Sequence, residues 1–131
     1  ADPLQASAAL RGYSRWMSAL DWLGKKVTIR IDRPLGTRHP QHGFLYPVNY
    51  GYLPGVMSPD GEELDAYLLG VDRPFDEYTG VVIAVIVRED DHDDKLVVAP
   101  VGMSFSDEQI RAQTDFQERW FKSAIRRRYE P

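Results

Sequence analysis

The N-terminal segment has apolar residues at helical spacing. Between residues 8 and 23, large apolar side chains recur every three or four positions, at Leu10, Tyr13, Met17, Leu20 and Leu23. This period matches one face of an α-helix, and Gly24 follows at a position where glycine often ends a helix. The pattern therefore predicts an N-terminal helix whose apolar face packs against the domain or against a partner subunit.

The middle of the chain has the shorter apolar runs that are typical of β-strands. We predict five or six strands, of which the clearest lie at residues 27–31, 44–52, 64–71, 81–87 and 95–99. The run at 81–87 is the most apolar, and we expect it to be buried on both faces. Pro47 and Gly51 interrupt the second run, which is typical of the bulges and corners of a small, strongly curved barrel.

A second helix is predicted near the C-terminus. Ser106 and Gln109 form a Ser-x-x-Gln capping box, and apolar positions continue from Ile110 to Ile125. The arginines at 126–128 suit the negative end of that helix, although such a run could also bind an anion.

The order of these elements predicts the fold class. Strands joined by short turns favour antiparallel pairing, and a predicted helix stands on either side of them. We therefore expect an α+β protein that is mainly β. It would be a small antiparallel β-barrel with N-terminal and C-terminal helices packed beside it, and residues 1–131 would form a single domain.

Composition narrows the classes of function. The chain has 131 residues, a net charge of −4 and no cysteine, so thiolate metal sites are excluded and a broad nucleic-acid surface is disfavoured. No apolar run approaches the ~20 residues that span a bilayer, and no signal peptide is recognisable at the N-terminus. We expect no membrane or nucleic-acid partner and, by default, a cytoplasmic location.

Two acidic turns are the strongest chemical feature. Asp60, Glu62 and Asp65 surround one turn, and Asp90 and Asp93 belong to a second turn one hairpin later. Such turns are often only solvated loops, but two acidic clusters at adjacent hairpin ends repel each other unless a cation bridges them. Carboxylate oxygens are the ligands that Mg²⁺ or Mn²⁺ prefers. The spacing does not fit an EF-hand loop.

The loop at 32–43 contains a second, weaker candidate. His39 and His42 have the spacing of a possible metal-binding pair, but the loop offers no thiolate and no further histidine. We therefore interpret these residues, with Arg38, as polar groups that could face a site.

A pair of motifs resembles one known family. Tyr46-Pro47-x-Asn49-Tyr50-Gly51-Tyr52, followed by Asp60-Gly61-Glu62-Glu63-Leu64-Asp65, is similar to the corresponding motifs of the family I soluble inorganic pyrophosphatases. The resemblance covers roughly residues 27 to 100. It implies a barrel of the OB type that hydrolyses pyrophosphate to two phosphates with several Mg²⁺ ions. Since bacterial members form homo-oligomers, it also implies a homo-oligomer.

The resemblance assigns roles to individual residues. Asp60, Asp65 and Asp93 match the family's metal-binding aspartates, and Asp90 is a further candidate if a short gap is allowed. Glu62 matches the carboxylate that activates the attacking water. Three residues match groups that contact the phosphates: Arg38, Tyr50 and Lys95.

The chain also departs from the family pattern. Glu62 and Glu63 replace an aspartate and a proline, and the loop at 32–43 lacks a hairpin that brings a lysine and a glutamate to the site. Arg30 stands where the first strand has a glutamate, and Trp120, Phe121 and Lys122 are a poor match to a C-terminal Tyr-Lys pair. Three alternatives follow: another, larger phosphoanhydride as substrate, an inactive metal- or anion-binding barrel, or an OB-type nucleic-acid binder, which the acidic turns disfavour.

Overall fold

The computed structural model describes residues 18–58 and 61–128. It contains six strands: β1 (Lys26–Arg33), β2 (Asn49–Met57), β3 (Glu63–Leu68), β4 (Glu77–Arg88), β5 (Lys95–Ala99) and β6 (Ser123–Arg126). One α-helix, α1 (Asp107–Glu118), precedes β6, and a short 3₁₀ helix (Ala19–Trp22) precedes β1.

The strands form a closed barrel. The sheet order is β1-β2-β3-β5-β4-β6, and a further pairing of β1 with β4 closes the first five strands on themselves. β6 extends the sheet beyond this ring by pairing with β4. The expected small, mainly β barrel is thereby confirmed.

One strand pair differs from the expected antiparallel arrangement. β3 and β5 run parallel, with Asp65 opposite Lys95 and Leu68 opposite Val98. The reason is that β4, which follows β3 in the chain, lies on the far side of β5 and not beside β3. The parallel pair therefore brings the starts of β3 and β5 to the same edge of the barrel.

Alternation along the strands builds two apolar clusters. The first fills the barrel and includes Ile29 of β1, Ala66 of β3 and Val98 of β5. The intervening residues Tyr67 and Val97 point to the other face, where they pack with Ile110 of α1. The helix thus covers the outside of the barrel at β3, β4 and β5. Residues of β4 contribute to both clusters, as expected for an apolar run at 81–87 that is buried on both faces.

The C-terminal helix is shorter than predicted. It starts at the predicted cap, where the Ser106 hydroxyl accepts a hydrogen bond from the Gln109 backbone and the capping box is complete, but it ends at Glu118. Ile125 lies in β6 opposite Ile86, because the long strand β4 offers an edge whose backbone groups need partners.

The arginines predicted for the end of the helix lie elsewhere. Arg127 donates to Asp107 at the start of α1 at 2.9 Å, and to the Phe105 carbonyl. Through Asp107, Arg127 therefore connects the segment after β6 to the N-terminal, positive end of α1. The prediction that the arginines stand at the C-terminal end of the helix was wrong.

The N-terminal helix prediction falls mostly on residues 1–17, which lie outside the described residues. At its C-terminal end the structure shows the 3₁₀ helix, capped by Ser18 and Asp21 in a reciprocal capping box. No helix among residues 18–58 and 61–128 has the length and apolar character required to cross a membrane.

Candidate active site

A buried lysine joins two aspartates at one edge of the barrel. The Lys95 ammonium donates to Asp65 Oδ2 at 2.6 Å and to Asp93 Oδ2 at 2.8 Å. The Lys95 side chain is 3% exposed, whereas those of Asp65 and Asp93 are 31% and 26% exposed. The two carboxylates therefore converge on one buried cation while remaining open to the cavity.

Strand geometry explains this convergence. Asp65 on β3 and Lys95 on β5 are direct partners in the parallel register, so their side chains emerge side by side. Asp93 precedes Lys95 by two residues, and side chains two apart in an extended segment share a face. The predicted residues Asp65, Asp93 and Lys95 thus come together from separate parts of the chain.

Tyr50 lies beside this group. Its ring centroid is 5.8 Å from the Lys95 ammonium, and it sits on β2 opposite Tyr67 of β3. Burial raises the pKa of the Tyr50 phenol well above its usual value, and the charge of Asp65 raises it further. The phenol consequently stays protonated at neutral pH and adds no negative charge to the site.

A second ion pair lies behind the first. Arg88 makes a bidentate contact with Glu118 of α1, with both N···O distances 2.9 Å, and both side chains are 5% exposed. Arg88 also reaches Asp91 at 3.2 Å and Asp93 at 3.5 Å. It therefore links the end of the helix to the acidic turn that carries Asp93.

The Arg88–Glu118 pair has further support. The Tyr67 hydroxyl donates to Glu118 Oε2 at 2.5 Å and accepts from Gln117 at 2.8 Å, and the Arg88 guanidinium lies 3.6 Å from the centroid of the Phe121 ring. Burial alone would lower the Arg88 pKa, but the hydrogen bonds and charge of Glu118 raise it above its usual value. The guanidinium is therefore permanently charged.

These groups border a cavity of about 930 Å³. We call Tyr50, Asp65, Asp93 and Lys95 its polar end. Most of the other lining residues carry rings. We call these ring-bearing residues the aromatic wall: His39, His42, Phe44, Phe116, Trp120 and Phe121. The cavity thus joins a charged end to an extended aromatic surface.

Other predicted site residues lie outside this lining. Arg38 donates to the Gly43 carbonyl of its own loop at 2.5 Å, and the Asp90 carboxylate accepts from the Lys122 backbone N–H at 3.0 Å. Glu62 is exposed in the turn before β3 and is not among the described lining residues. Asp60 lies outside the described residues, so the structure gives no position for it.

The two loop histidines line the cavity, but one of them is already engaged. His39 Nδ1 accepts from the backbone N–H groups of Gln41 at 3.1 Å and His42 at 3.0 Å. This leaves Nε2 as the protonated nitrogen of the neutral ring. Burial and the charge of His42 lower the His39 pKa below its usual value.

Glu118 is a residue of the site that was not predicted. A signal was present, because Ile110, Thr114 and Glu118 follow each other at intervals of four residues and all three are buried. A carboxylate on the buried face of a helix needs a cationic partner. Arg88, which ends the most apolar strand, was available for that role.

The polar end has the donor chemistry for a hard divalent cation. Mg²⁺ commonly binds through one or two carboxylates together with substrate phosphates, and Asp65 and Asp93 offer two carboxylates at one place. Within residues 18–58 and 61–128, no three histidine, aspartate or glutamate side chains form a group arranged for a metal. Asp65 and Asp93 therefore match the one or two carboxylates through which such a cation is commonly bound.

The fold and the ion-paired cavity define an OB-type barrel with a charged site at one edge. The model of the inorganic pyrophosphatase family matches residues 22–129, and the chain belongs to that family. Its relatives include the inorganic pyrophosphatase of Aeropyrum pernix, 32% identical over 76 residues, which are 55% of this chain and 40% of the relative. The inorganic pyrophosphatase of Neisseria meningitidis serogroup B is 31% identical over 110 residues, 79% of this chain and 58% of the relative.

Solved structures show the same fold at lower sequence identity. The inorganic pyrophosphatase of Ehrlichia chaffeensis superposes with a TM-score of 0.65 at 15% identity, covering 80% of this chain and 87% of that one. The Helicobacter pylori inorganic pyrophosphatase gives 0.61 at 17% identity, covering 79% and 85%. The matches to the curated relatives named above span only 40% and 58% of their lengths.

Proposed function

We propose that this protein hydrolyses inorganic pyrophosphate to two phosphates with the help of a divalent cation, Mg²⁺ or alternatively Mn²⁺. The observation that carries the proposal is the convergence of Asp65 and Asp93 on Lys95 at the polar end of the cavity. Membership in the inorganic pyrophosphatase family supports it. We also propose that residues 1–131 form one such domain.

Lys95 is the main phosphate-binding candidate. An ammonium has three N–H donors, and the bonds to Asp65 and Asp93 use two of them. The third can donate to a phosphate oxygen, where the positive charge offsets the charge of the substrate. Tyr50 restricts the space beside Lys95 and remains a neutral phenol.

Asp65 and Asp93, together with Asp60 by resemblance, would hold the cation. When bound, Mg²⁺ supplies positive charge that stabilises the developing charge on the phosphoryl oxygens. The proposal also gives Lys95 a second function, because its ammonium keeps the two carboxylates near each other before a cation arrives.

Glu62 is proposed to orient and deprotonate the attacking water. Its side chain is one methylene longer than an aspartate, which suits a group that must reach into the cavity from an exposed turn. For Arg38 to bind a phosphate, its guanidinium must release the Gly43 carbonyl. For Asp90 to bind a metal, its carboxylate must release the Lys122 backbone N–H.

A second candidate is a barrel that binds metal or anions without turnover. The contact of Lys95 with both aspartates favours it, because each carboxylate already has a cationic partner. This alternative predicts binding of pyrophosphate or of the divalent cation with no release of phosphate.

The test is phosphate release from pyrophosphate with Mg²⁺, and then with Mn²⁺. We expect Asp65→Asn to lower turnover by more than the 10- to 100-fold that removal of an outer-shell partner of a metal typically costs, with an unchanged circular dichroism spectrum. Asp72→Asn is the matched control, because Asp72 is an exposed acid in the loop after β3. Full activity of Asp65→Asn would reject the assignment.

A second variant tests the water-activating group. Glu62→Gln should retain binding of Mg²⁺-pyrophosphate and lose turnover, since the amide is isosteric but cannot take a proton. If a folded wild-type protein binds pyrophosphate and releases no phosphate with either metal, the non-catalytic alternative is correct.

Family membership also motivates a proposal about assembly. We propose that the chain forms a homo-oligomer, and sedimentation equilibrium at several protein concentrations tests this. A monomer mass at every concentration would reject it.

A further inference from the structure

The cavity offers more surface than pyrophosphate can use. Pyrophosphate consists of two phosphoryl groups and has no apolar part, so the polar end alone can bind it. The volume of about 930 Å³ lies near the upper end of the ~300–1,000 Å³ range for sites that bind drug-sized ligands. The aromatic wall therefore needs a separate explanation.

The rings of the aromatic wall form a continuous surface from two parts of the chain. In the loop before β2, His42 and Phe44 lie nearly parallel, with centroids 6.3 Å apart and planes 5° apart. Phe44 meets Phe116 of α1 edge-on at 5.7 Å. The surface thus runs from the loop to the helix that ends at Glu118.

Trp120 is the exposed residue that α1 leads into at this wall. It lies two residues beyond the end of α1 and is 72% exposed, although it lines the cavity. An exposed aromatic side chain can stack a nucleic acid base on its face. His39 adds a polar group to the same wall, because its occupied Nδ1 leaves an N–H donor at Nε2.

We propose that this site accepts a nucleoside diphosphate, with the base against the aromatic wall and the diphosphate at the polar end. The inference rests on the proposed function, since the polar end would cleave the same phosphoanhydride bond. The water oxygen bonds to the terminal phosphorus, and the bond from that phosphorus to the bridging oxygen breaks. The products are a nucleoside monophosphate and inorganic phosphate, and the proton released from water passes to solvent.

Charge and geometry favour this class over other organic ligands. Lys95 at the polar end is paired with two aspartates and Arg119 at the wall with Asp115, but each keeps N–H donors for the oxygens of a diphosphate. A nucleoside adds a flat, polar aromatic ring at the far end of the same molecule. A nucleoside diphosphate therefore matches both ends of the cavity.

The experiment compares ADP with pyrophosphate in Mg²⁺, using the wild-type protein and Trp120→Ala. Loss of one stacked base should lower kcat/KM for ADP by about 5- to 150-fold and leave kcat/KM for pyrophosphate unchanged. Trp120→Phe should retain most of the ADP activity because it keeps a ring. Leu45→Ala is the control for removing an exposed apolar side chain outside the cavity lining, and it should affect neither substrate.

Binding provides a readout without turnover. Calorimetric titration with α,β-methylene-ADP should show a Kd that rises by the same factor in Trp120→Ala. Turnover of pyrophosphate but not ADP, with no binding of the analogue, would overturn this inference and leave the proposed function standing. No turnover of either substrate would reject the proposed function itself.

One further outcome would also overturn the inference. If Trp120→Ala reduces the molecular mass in solution and changes both activities equally, the aromatic wall is a contact between copies of the chain and does not bind the base.

Discussion

The buried Arg88–Glu118 pair allows a quantitative test of what stabilises the site. Arg88→Met would remove the guanidinium and leave Glu118, 5% exposed in its side chain, with the Tyr67 hydroxyl as its described partner. A buried carboxylate that loses its cationic partner costs about 3–5 kcal/mol. We therefore expect this variant to lose about 3–5 kcal/mol in the free energy of unfolding.

Substitution of Glu118 should lower the free energy of unfolding by less than substitution of Arg88. Glu118→Gln leaves Arg88 with Asp91 at 3.2 Å and Asp93 at 3.5 Å, so the guanidinium keeps carboxylate partners. The loss is then that of hydrogen bonds to a charged group, about 1.5–3 kcal/mol. The structure thus predicts an asymmetry within one ion pair.

Glu118→Leu alone and the double variant Arg88→Met/Glu118→Leu complete a double-mutant cycle with Arg88→Met. Since apolar residues of similar volume often replace a buried ion pair at little cost, the double variant should be more stable than Arg88→Met alone. Arg119→Met is the control, because Arg119 and Asp115 form an exposed pair, 53% and 57% exposed, and it should cost at most about 0.5 kcal/mol.

Urea unfolding followed by far-UV circular dichroism measures these differences, provided that the m-value stays constant across the series. A loss below about 1 kcal/mol for Arg88→Met would refute the reasoning. So would a double variant whose loss equals the sum of the losses of Arg88→Met and Glu118→Leu, since the pair would then contribute no coupling.

Three further predictions concern other parts of the molecule. His39 should titrate by NMR with a pKa below 6.5. The contribution of this shift to the free energy of unfolding is therefore present above pH 6.5 and is lost as the pH falls through the folded-state pKa. His39→Asn keeps a side-chain acceptor and should reduce that pH dependence. Ser106→Ala should cost about 1 kcal/mol in thermal or urea unfolding because it removes the acceptor for the Gln109 N–H, and an unchanged stability would contradict the capping role. Gly51→Ala should cost about 3 kcal/mol or more, since its Cβ would lie 1.7 Å from the Arg30 carbonyl oxygen of β1, and normal stability would refute the close strand approach.

Local patterns were sufficient to predict much of the fold. Alternation identified the strand that contains Ile29, a short apolar run identified the strand that contains Val97, and the Ser106 capping box located the start of α1. The motif resemblance selected Tyr50, Asp65 and Lys95, which the structure brings together. These features depend on residues that are close in sequence or on a known motif, so one chain is enough to detect them.

Features that depend on distant partners were not predictable in the same way. Apolar spacing that continues through Trp120 and Phe121 predicts a helix as far as Ile125. In the structure, Ile125 pairs instead with the edge of β4 as part of β6. The Arg88–Glu118 pair joins residues 30 positions apart. Helical spacing indicates that Glu118 needs a cationic partner, but the choice of Arg88 follows from the way α1 lies across the barrel.

The parallel pairing of β3 with β5 has a consequence for how this protein becomes functional during folding. Asp65 and Lys95 meet only after the chain has crossed through β4 and returned, and such non-local pairings form slowly because a long loop must first be ordered. No contiguous fragment shorter than residues 50–95 contains all four residues of the polar end. In a refolding experiment, the ability to bind the phosphoanhydride should therefore appear with the slowest phase of barrel closure, after most of the helix and hairpin signal has already been recovered.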